Sequence, residues 1–256
     1  TKSQPLTPNT HTIIGKPTHP RGVSILKNNL DSYKSALACD PISAFGGIVS
    51  CNFKVSKNLA IKLNSIFLEV VIGNGFEKEA LKILKKKKNL RLIDSSKFNL
   101  NENFKFNYIN KTMLVQSEDT KIFSKKDFKI VSKKKPTKSQ IENLIFAFNI
   151  CRFVKSNSIV IASNKSTVGI GSGQPSRLDS CKLAINKMKK FINPKNDIIA
   201  ASDAFFPFVD GIEKLVQSGV SAIIQPAGSI RDKEVIKFAN DTNTVLLFSR
   251  TRHFRH

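Results

Sequence analysis

The sequence predicts an α/β fold in two parts, and three observations carry that expectation. Short apolar runs of strand length, such as Phe67-Leu-Glu-Val-Val-Ile72 and Val245-Leu-Leu-Phe248, alternate with amphipathic stretches of helix length. Thr137, with Gln140 three residues on, is a capping-box signature that restarts this pattern after Pro136. Ahead of it, residues 89–135 turn Lys- and Asn-rich, with a break near 125–136. The expected subdomains are 1–130 and 131–256.

Composition narrows the function classes. With 256 residues, 40% of them apolar, the chain can bury a sizeable core. No run approaches the roughly 20 apolar residues of a membrane span. The start, Thr1-Lys-Ser-Gln-Pro5, is no signal peptide, and without an initial Met the chain reads as a fragment. Cys39, Cys51, Cys151 and Cys181 are scattered, so zinc ribbons and redox pairs are not expected, and a reducing cytoplasm is. The formal charge of +23 fits either a polyanion binder or a lysine-rich solvated surface. The lysines are spread out, apart from Lys85–Lys88 and Lys133–Lys135, and no aromatics interleave with those runs. That pattern lacks the stacking platform of a single-strand binder.

Each element has its local reason. Pro5, Pro8, Pro17 and Pro20 make residues 1–24 read as irregular. Asp31 is placed to cap a helix through Tyr33, Ala36 and Leu37. Asp40-Pro-Ile-Ser-Ala-Phe-Gly-Gly-Ile-Val49 is a turn, a glycine pair and a strand. Gly46 and Gly47 allow close backbone approach to a ligand or to a neighbouring strand. Helices follow near 56–65 and 77–88, on either side of the 67–72 strand. After Thr137 a helix runs through Cys151, then a polar turn, a hairpin turning at Asn164-Lys-Ser166, and a helix from Leu178. Further helices are expected near 212–218 and after Asp232, around a strand at 221–225.

Four stretches carry candidate chemistry. Ala201-Ser-Asp-Ala-Phe-Phe-Pro-Phe-Val-Asp210 mixes three Phe with two carboxylates. It reads either as an apolar cleft wall with placed polar groups or as a strand end with core aromatics and a helix-capping Asp. Gly169-Ile-Gly-Ser-Gly-Gln-Pro-Ser-Arg177 suits an anion at a helix start or a tight structural turn, and is neither a P-loop nor the dinucleotide fingerprint. Lys155-Ser-Asn157 offers an oxyanion donor or a satisfied turn. Arg252-His-Phe-Arg-His256 reads as a phosphate clamp, a metal site or a basic tail, docked because it follows directly on a strand.

Together with Val154-Lys-Ser-Asn-Ser-Ile-Val160, Gln225-Pro-Ala-Gly-Ser-Ile-Arg-Asp232 and the Asp40–Gly47 and Phe67–Val70 strings, these motifs occur in a familiar order. In that order they resemble the AICAR transformylase domain, the C-terminal part of the bifunctional AICAR transformylase/IMP cyclohydrolase family. The resemblance covers residues 16–256. It implies formyl transfer from 10-formyltetrahydrofolate to the amine of AICAR in purine (IMP) biosynthesis. The fold it implies is a cytidine deaminase-like α/β/α layering in two related subdomains. It also implies a homodimer with sites across the interface, no zinc, and no nucleic-acid or membrane partner. By that resemblance, the parent family's cyclohydrolase domain and the start of the transformylase domain are expected to lie outside this sequence.

By motif match the resemblance makes Lys16, Asn157 and Asp210 catalytic. It makes Gly46, Gly47, Glu69, Arg177, Phe205, Arg252, Phe254 and His256 contacts of AICAR. Ala204, Pro207 and Phe208 fall on the folate side. Ser156, Ser158 and Asp203 stand where family members hold potassium. The chain departs from the family in reading Lys16-Pro17 where Lys-His is expected, with His19 two residues on. Residues 1–15 match nothing expected upstream, as a frameshifted reading of the first twenty would give. Val209 stands for a usual Arg and Ala227 for a usual Gly. Two other functions compete: a basic polyanion or nucleic-acid binder, and a catalytically dead fragment kept for dimerisation.

Overall fold

The computed structural model describes residues 11–17, 19–97, 104–194, 197–253 and 255. The chain opens with β1 (His11–Lys16) and β2 (His19–Ile25), an antiparallel hairpin. This corrects the expectation of an irregular start. Pro17 lies in the turn, and Pro20 pairs with Gly15 where the register shifts past Arg21. At such a bulge the missing N–H costs no ladder bond. Next come α1 (Asn29–Ala38), β3 (Gly47–Cys51), α2 (Lys57–Asn64), β4 (Leu68–Gly73), α3 (Lys78–Leu84) and β5 (Arg91–Asp94). The α1 cap is Asn28, whose side chain accepts from the Leu30 and Asp31 N–H groups; Asp31 sits in the first turn instead. Helix α3 stops four residues short of the expected Lys88.

The middle holds β6 (Phe104–Ile109), β7 (Thr112–Ser117) and β8 (Phe128–Ile130). Then follow α4 (Lys138–Cys151), β9 (Ile159–Ser163), β10 (Ser166–Gly171), α5 (Arg177–Phe191), β11 (Ile199–Ser202), α6 (Asp210–Gln217), β12 (Ala222–Pro226), α7 (Asp232–Asp241) and β13 (Val245–Ser249). The Thr137–Gln140 capping box closes in both directions at the start of α4. The β9–β10 turn places Asn164 and Lys165 at positive φ, as tight hairpin turns require.

One mixed sheet of 11 strands joins everything except the β6–β7 hairpin, in the order β5-β4-β3-β1-β2-β10-β9-β11-β12-β13-β8. Helices cover both faces of its second half. The side chains of Val160, Ala162, Ala201 and Ile224 pack with Leu144 and Phe148 of α4. Their strand neighbours Ile159, Ile161, Ala200 and Ile223 pack with Ile185 of α5 and Leu215 of α6. This alternation is why these strands are apolar throughout.

The connectivity of β1-β2-α1-β3-α2-β4-α3-β5 recurs in β9-β10-α5-β11-α6-β12-α7-β13. The two runs meet where β2 lies against β10. Hydroxyls knit that seam. Thr167 Oγ1 accepts from Val23 N–H at 2.9 Å and donates to Val23 C=O at 3.3 Å. Ser24 and Ser166 pair at 2.8 Å, and Ile25 N–H reaches Lys165 C=O at 2.9 Å.

Candidate functional site

The register places every described candidate at one end of the sheet. Lys16 ends β1, Gly47 begins β3 and Glu69 lies at the start of β4. In the second half, Asn157 precedes β9, Arg177 opens α5, Asp203 follows β11 and Arg252 follows β13, at that same end. The carboxyl ends of parallel strands β11, β12 and β13 are the usual place for a ligand in such a sheet. Phe254 and His256 lie outside the described residues.

Asp203 is the hub. It is buried, and its Oδ1 accepts from Arg177 at 2.5 Å while Oδ2 accepts from Ser156 Oγ at 2.5 Å. The Arg177 guanidinium, itself buried, also donates to Ser202 Oγ at 2.8 Å and to Asn157 Oδ1 at 2.9 Å. Asn157 Nδ2 donates to the carbonyls of Gln174 at 3.0 Å and Pro175 at 3.2 Å. A buried carboxylate is tolerable only with such partners, and the guanidinium supplies a matching charge. Ser158 Oγ is fully buried beside the Cys151 thiol and completes no hydrogen bond among the described residues. Burial pushes that thiol up, so it stays protonated and inert.

The stretch after β11 divides between core and surface, and its expected helix-capping Asp does not cap. Ala204 and Phe206 are core, whereas Phe205 is half-buried and Pro207 and Phe208 are exposed. The Arg252 guanidinium stands 5.4 Å over the Phe205 ring, and Arg231 stands 4.7 Å over Phe208. Asp210 is exposed, and its Oδ1 accepts from the N–H of Gly211 at 2.7 Å; it does not cap the helix, because Val209 occupies that position.

The glycines serve packing. A Cβ on Gly171 would lie 2.0 Å from Ser180 C=O, and one on Gly169 would lie 2.2 Å from Ala184 C=O. They let α5 lie directly on β10, a role their spacing does not reveal. Likewise a Cβ on Gly47 would meet the carbonyl oxygens of Ala44 and Gly15, so this glycine answers to a neighbouring strand.

In the first half, Gly46 takes a φ of +67° and donates to Phe67 C=O at 2.9 Å. Exposed Phe45 and Phe67 pack with ring centroids 5.2 Å apart beside exposed Glu69. Lys16 is exposed at the hairpin tip beside Pro17. This group does not reach the second. Eight strand steps separate β4 from β13 in the sheet order, about 38 Å at the usual spacing. Three steps separate β1 from β9, about 14 Å. Residues absent from the sequence candidates but built into the network are Ser202, Gln174, Arg231 and His253. Each lay inside a string singled out in the sequence, Gln174 in Gly169–Arg177, Ser202 in Ala201–Asp210, Arg231 in Gln225–Asp232 and His253 in Arg252–His256, but none carried an expected role.

A model of the family described as the AICARFT/IMPCHase bienzyme matches residues 4–187. The chain belongs to the AICARFT/IMPCHase bienzyme family. It is 43% identical over 243 residues to the bifunctional purine biosynthesis protein PurH of Aquifex aeolicus, covering 95% of this chain and 47% of that protein. A PurH of Leptospira biflexa is 42% identical, covering 98% of this chain and 49% of its own length. One from Buchnera aphidicola of Acyrthosiphon pisum is 44% identical, at 95% and 47%. This member of the family thus spans about half the length of the curated relatives it matches. No helix among its described residues is long and apolar enough to cross a membrane.

Proposed function

We propose that the chain is the transformylase part, the C-terminal part, of a bifunctional purine biosynthesis enzyme, with two related cytidine deaminase-like subdomains at 1–130 and 131–256. Its reaction is formyl transfer from 10-formyltetrahydrofolate to AICAR. The AICAR amine attacks the formyl carbon, a new N–C bond forms, the bond from that carbon to N10 of the folate breaks, and one proton leaves the amine for N10. The observation that carries this reading is the Asn157–Arg177–Asp203–Ser156 network at the carboxyl end of β11. It holds an amide, a guanidinium and an aromatic wall where a charged planar substrate would lie.

Asn157 takes the formyl oxygen as it gains charge, displacing its longer contact at 3.2 Å to the Pro175 carbonyl. Arg252 takes the phosphate of AICAR with Phe205 beneath it, and Phe254 and His256 join it. Asp210, Ala204, Pro207 and Phe208 face the folate. Ser156, Ser158 and Asp203 offer hard oxygens, one of them a buried hydroxyl with no hydrogen bond among the described residues, and this donor set fits potassium. A bound potassium ion would supply a fixed positive charge that holds the carboxylate and the two hydroxyls in place.

Glu69, Gly46, Gly47 and Lys16 are too far along the sheet to share that site with Arg252 in one chain. A second copy brings them to it, so the active species is a homodimer. Lys16 lacks its histidine neighbour, and losing a general acid–base partner slows proton transfer by about 100- to 10,000-fold. Pro17 lies exposed in the turn beside Lys16. The test is AICAR-dependent formyl transfer by the chain and by Pro17→His. A rise of about 100-fold or more in the variant supports the assignment; failure of both proteins to bind AICAR sinks it.

A further inference from the structure

The segment after β13 is held by a device that the formyl-transfer reading does not use. His253 is 1% exposed, although its neighbours Arg250 and Arg252 are exposed. Its ring packs edge-on against Phe123, with centroids 4.9 Å apart at 88°, and lies 4.8 Å from the Phe148 ring. Nδ1 lies 2.5 Å from Asp119 Oδ2. An ionised carboxylate only accepts, so Nδ1 carries the proton. Nε2 is buried and meets no partner among the described residues.

The Asp119 end of this contact is itself fixed. Asn149 of α4 holds Phe123 by two bonds, accepting from its N–H at 3.0 Å and donating to its C=O at 3.0 Å. Arg152 donates to the Lys121 carbonyl at 3.0 Å. Residues 119–123 therefore form a ledge pinned to α4, and His253 plugs into it.

From this plug the backbone runs directly into the network around Asp203. His253 N–H donates to the Asp203 carbonyl at 2.9 Å. Ser156 N–H donates to Arg255 C=O at 2.8 Å, and Arg255 N–H returns to Ser156 Oγ at 3.3 Å. Arg252 is set over Phe205 from the residue before the plug.

We propose that His253, clasped by Asp119, is a positioning residue that sets Thr251, Arg252 and Arg255 across the site. It fixes the place of the Arg252 guanidinium and braces Ser156 beside Asn157. Its consequence for AICAR rests on the function proposed above; its consequence for those residues does not.

Two readouts on the full chain separate these. His253→Phe keeps an aromatic ring in the pocket and removes the bond. Asp119→Ala removes the bond from the partly exposed side and leaves the ring. Asp119→Asn keeps an acceptor. A hydrogen bond to a charged group has a net worth that corresponds to roughly a 10-fold effect. Tryptic cleavage after Arg250 and Arg252, followed by mass spectrometry without ligand, should quicken about 10-fold in His253→Phe and Asp119→Ala and stay near the parent in Asp119→Asn. The calorimetric Kd for AICAR should rise by about the same factor in the first two variants. Cleavage rates within about twofold of the parent in both variants overturn the clasp. Faster cleavage with an unchanged AICAR Kd overturns the positioning role. A parent chain that binds no AICAR rejects the proposed function, and the cleavage rates still decide the clasp.

Discussion

Thr167 does in one side chain what a ladder residue does in two backbone groups. Its hydroxyl satisfies both the N–H and the C=O of Val23 in a buried seam. Thr167→Val keeps the shape and strands both groups, so urea unfolding should show a loss of about 1–3 kcal/mol. Acid acts through two other residues. Burial raises the Asp40 carboxyl, but bonds from Lys187 and the Ser43 N–H outweigh it and hold the group below its ordinary value of 3.8. Burial holds His11 below its ordinary 6.5. Both are lowered in the folded state, so each contributes stability above its ordinary value and loses it as pH falls. Melting temperature should therefore begin to drop below about pH 6.5 and drop again below about pH 4, and Lys187→Met should shrink the second step without removing it, since the Ser43 N–H still holds Asp40 and the Asp127, Glu142 and Asp179 carboxyls are lowered as well. Much of the site was legible at this scale: the strings around Asn157, Arg177 and Asp203 name residues that do meet. Their bonding was not, because the Asn157 amide is engaged by carbonyls 17 and 18 residues away in sequence.

Elements were legible where local chemistry decides them and misread where tertiary context does. Thr137 and Gln140 announced α4, and Thr137→Ala should cost about 1 kcal/mol in equilibrium unfolding. The β1–β2 hairpin was hidden because four prolines argue against helix without arguing for strand, and a bulge absorbs Pro20. The glycines of β10 read as an anion cradle or a tight structural turn because a helix follows them; their actual constraint is the backbone of α5 across the sheet face. Gly171→Ala forces a methyl to within 2.0 Å of Ser180 C=O, so α5 must lift. A loss of about 1–3 kcal/mol is expected, with Asn157 loosened too, since Ser180 Oγ donates to its carbonyl. A crystal structure of that variant with α5 unmoved would refute this account.

At the scale of the molecule, the proposed function and the split of candidate residues along one sheet together predict that activity depends on pairing. Specific activity of the Pro17→His protein should fall on dilution, tracking the monomer fraction seen by sedimentation; constant specific activity through dissociation would place a whole site in one chain. The charge of +23 is carried by scattered lysines, so any nucleic-acid affinity should collapse between low and physiological salt while AICAR binding persists. The alternation of strands and helices was visible in the sequence. That the halves share one sheet was not, because the β2–β10 pairing joins residues 142 apart and leaves no local trace.

That distant pairing also bears on how the chain is made. A ribosome releases β2 long before β10 exists, and until then β2 is an unprotected sheet edge able to template pairing with other nascent chains. Closing the seam is a late step over a long loop, which is intrinsically slow. The protein is thus most vulnerable to aggregation during synthesis, in the interval before the β9–β10 hairpin emerges to cover the first.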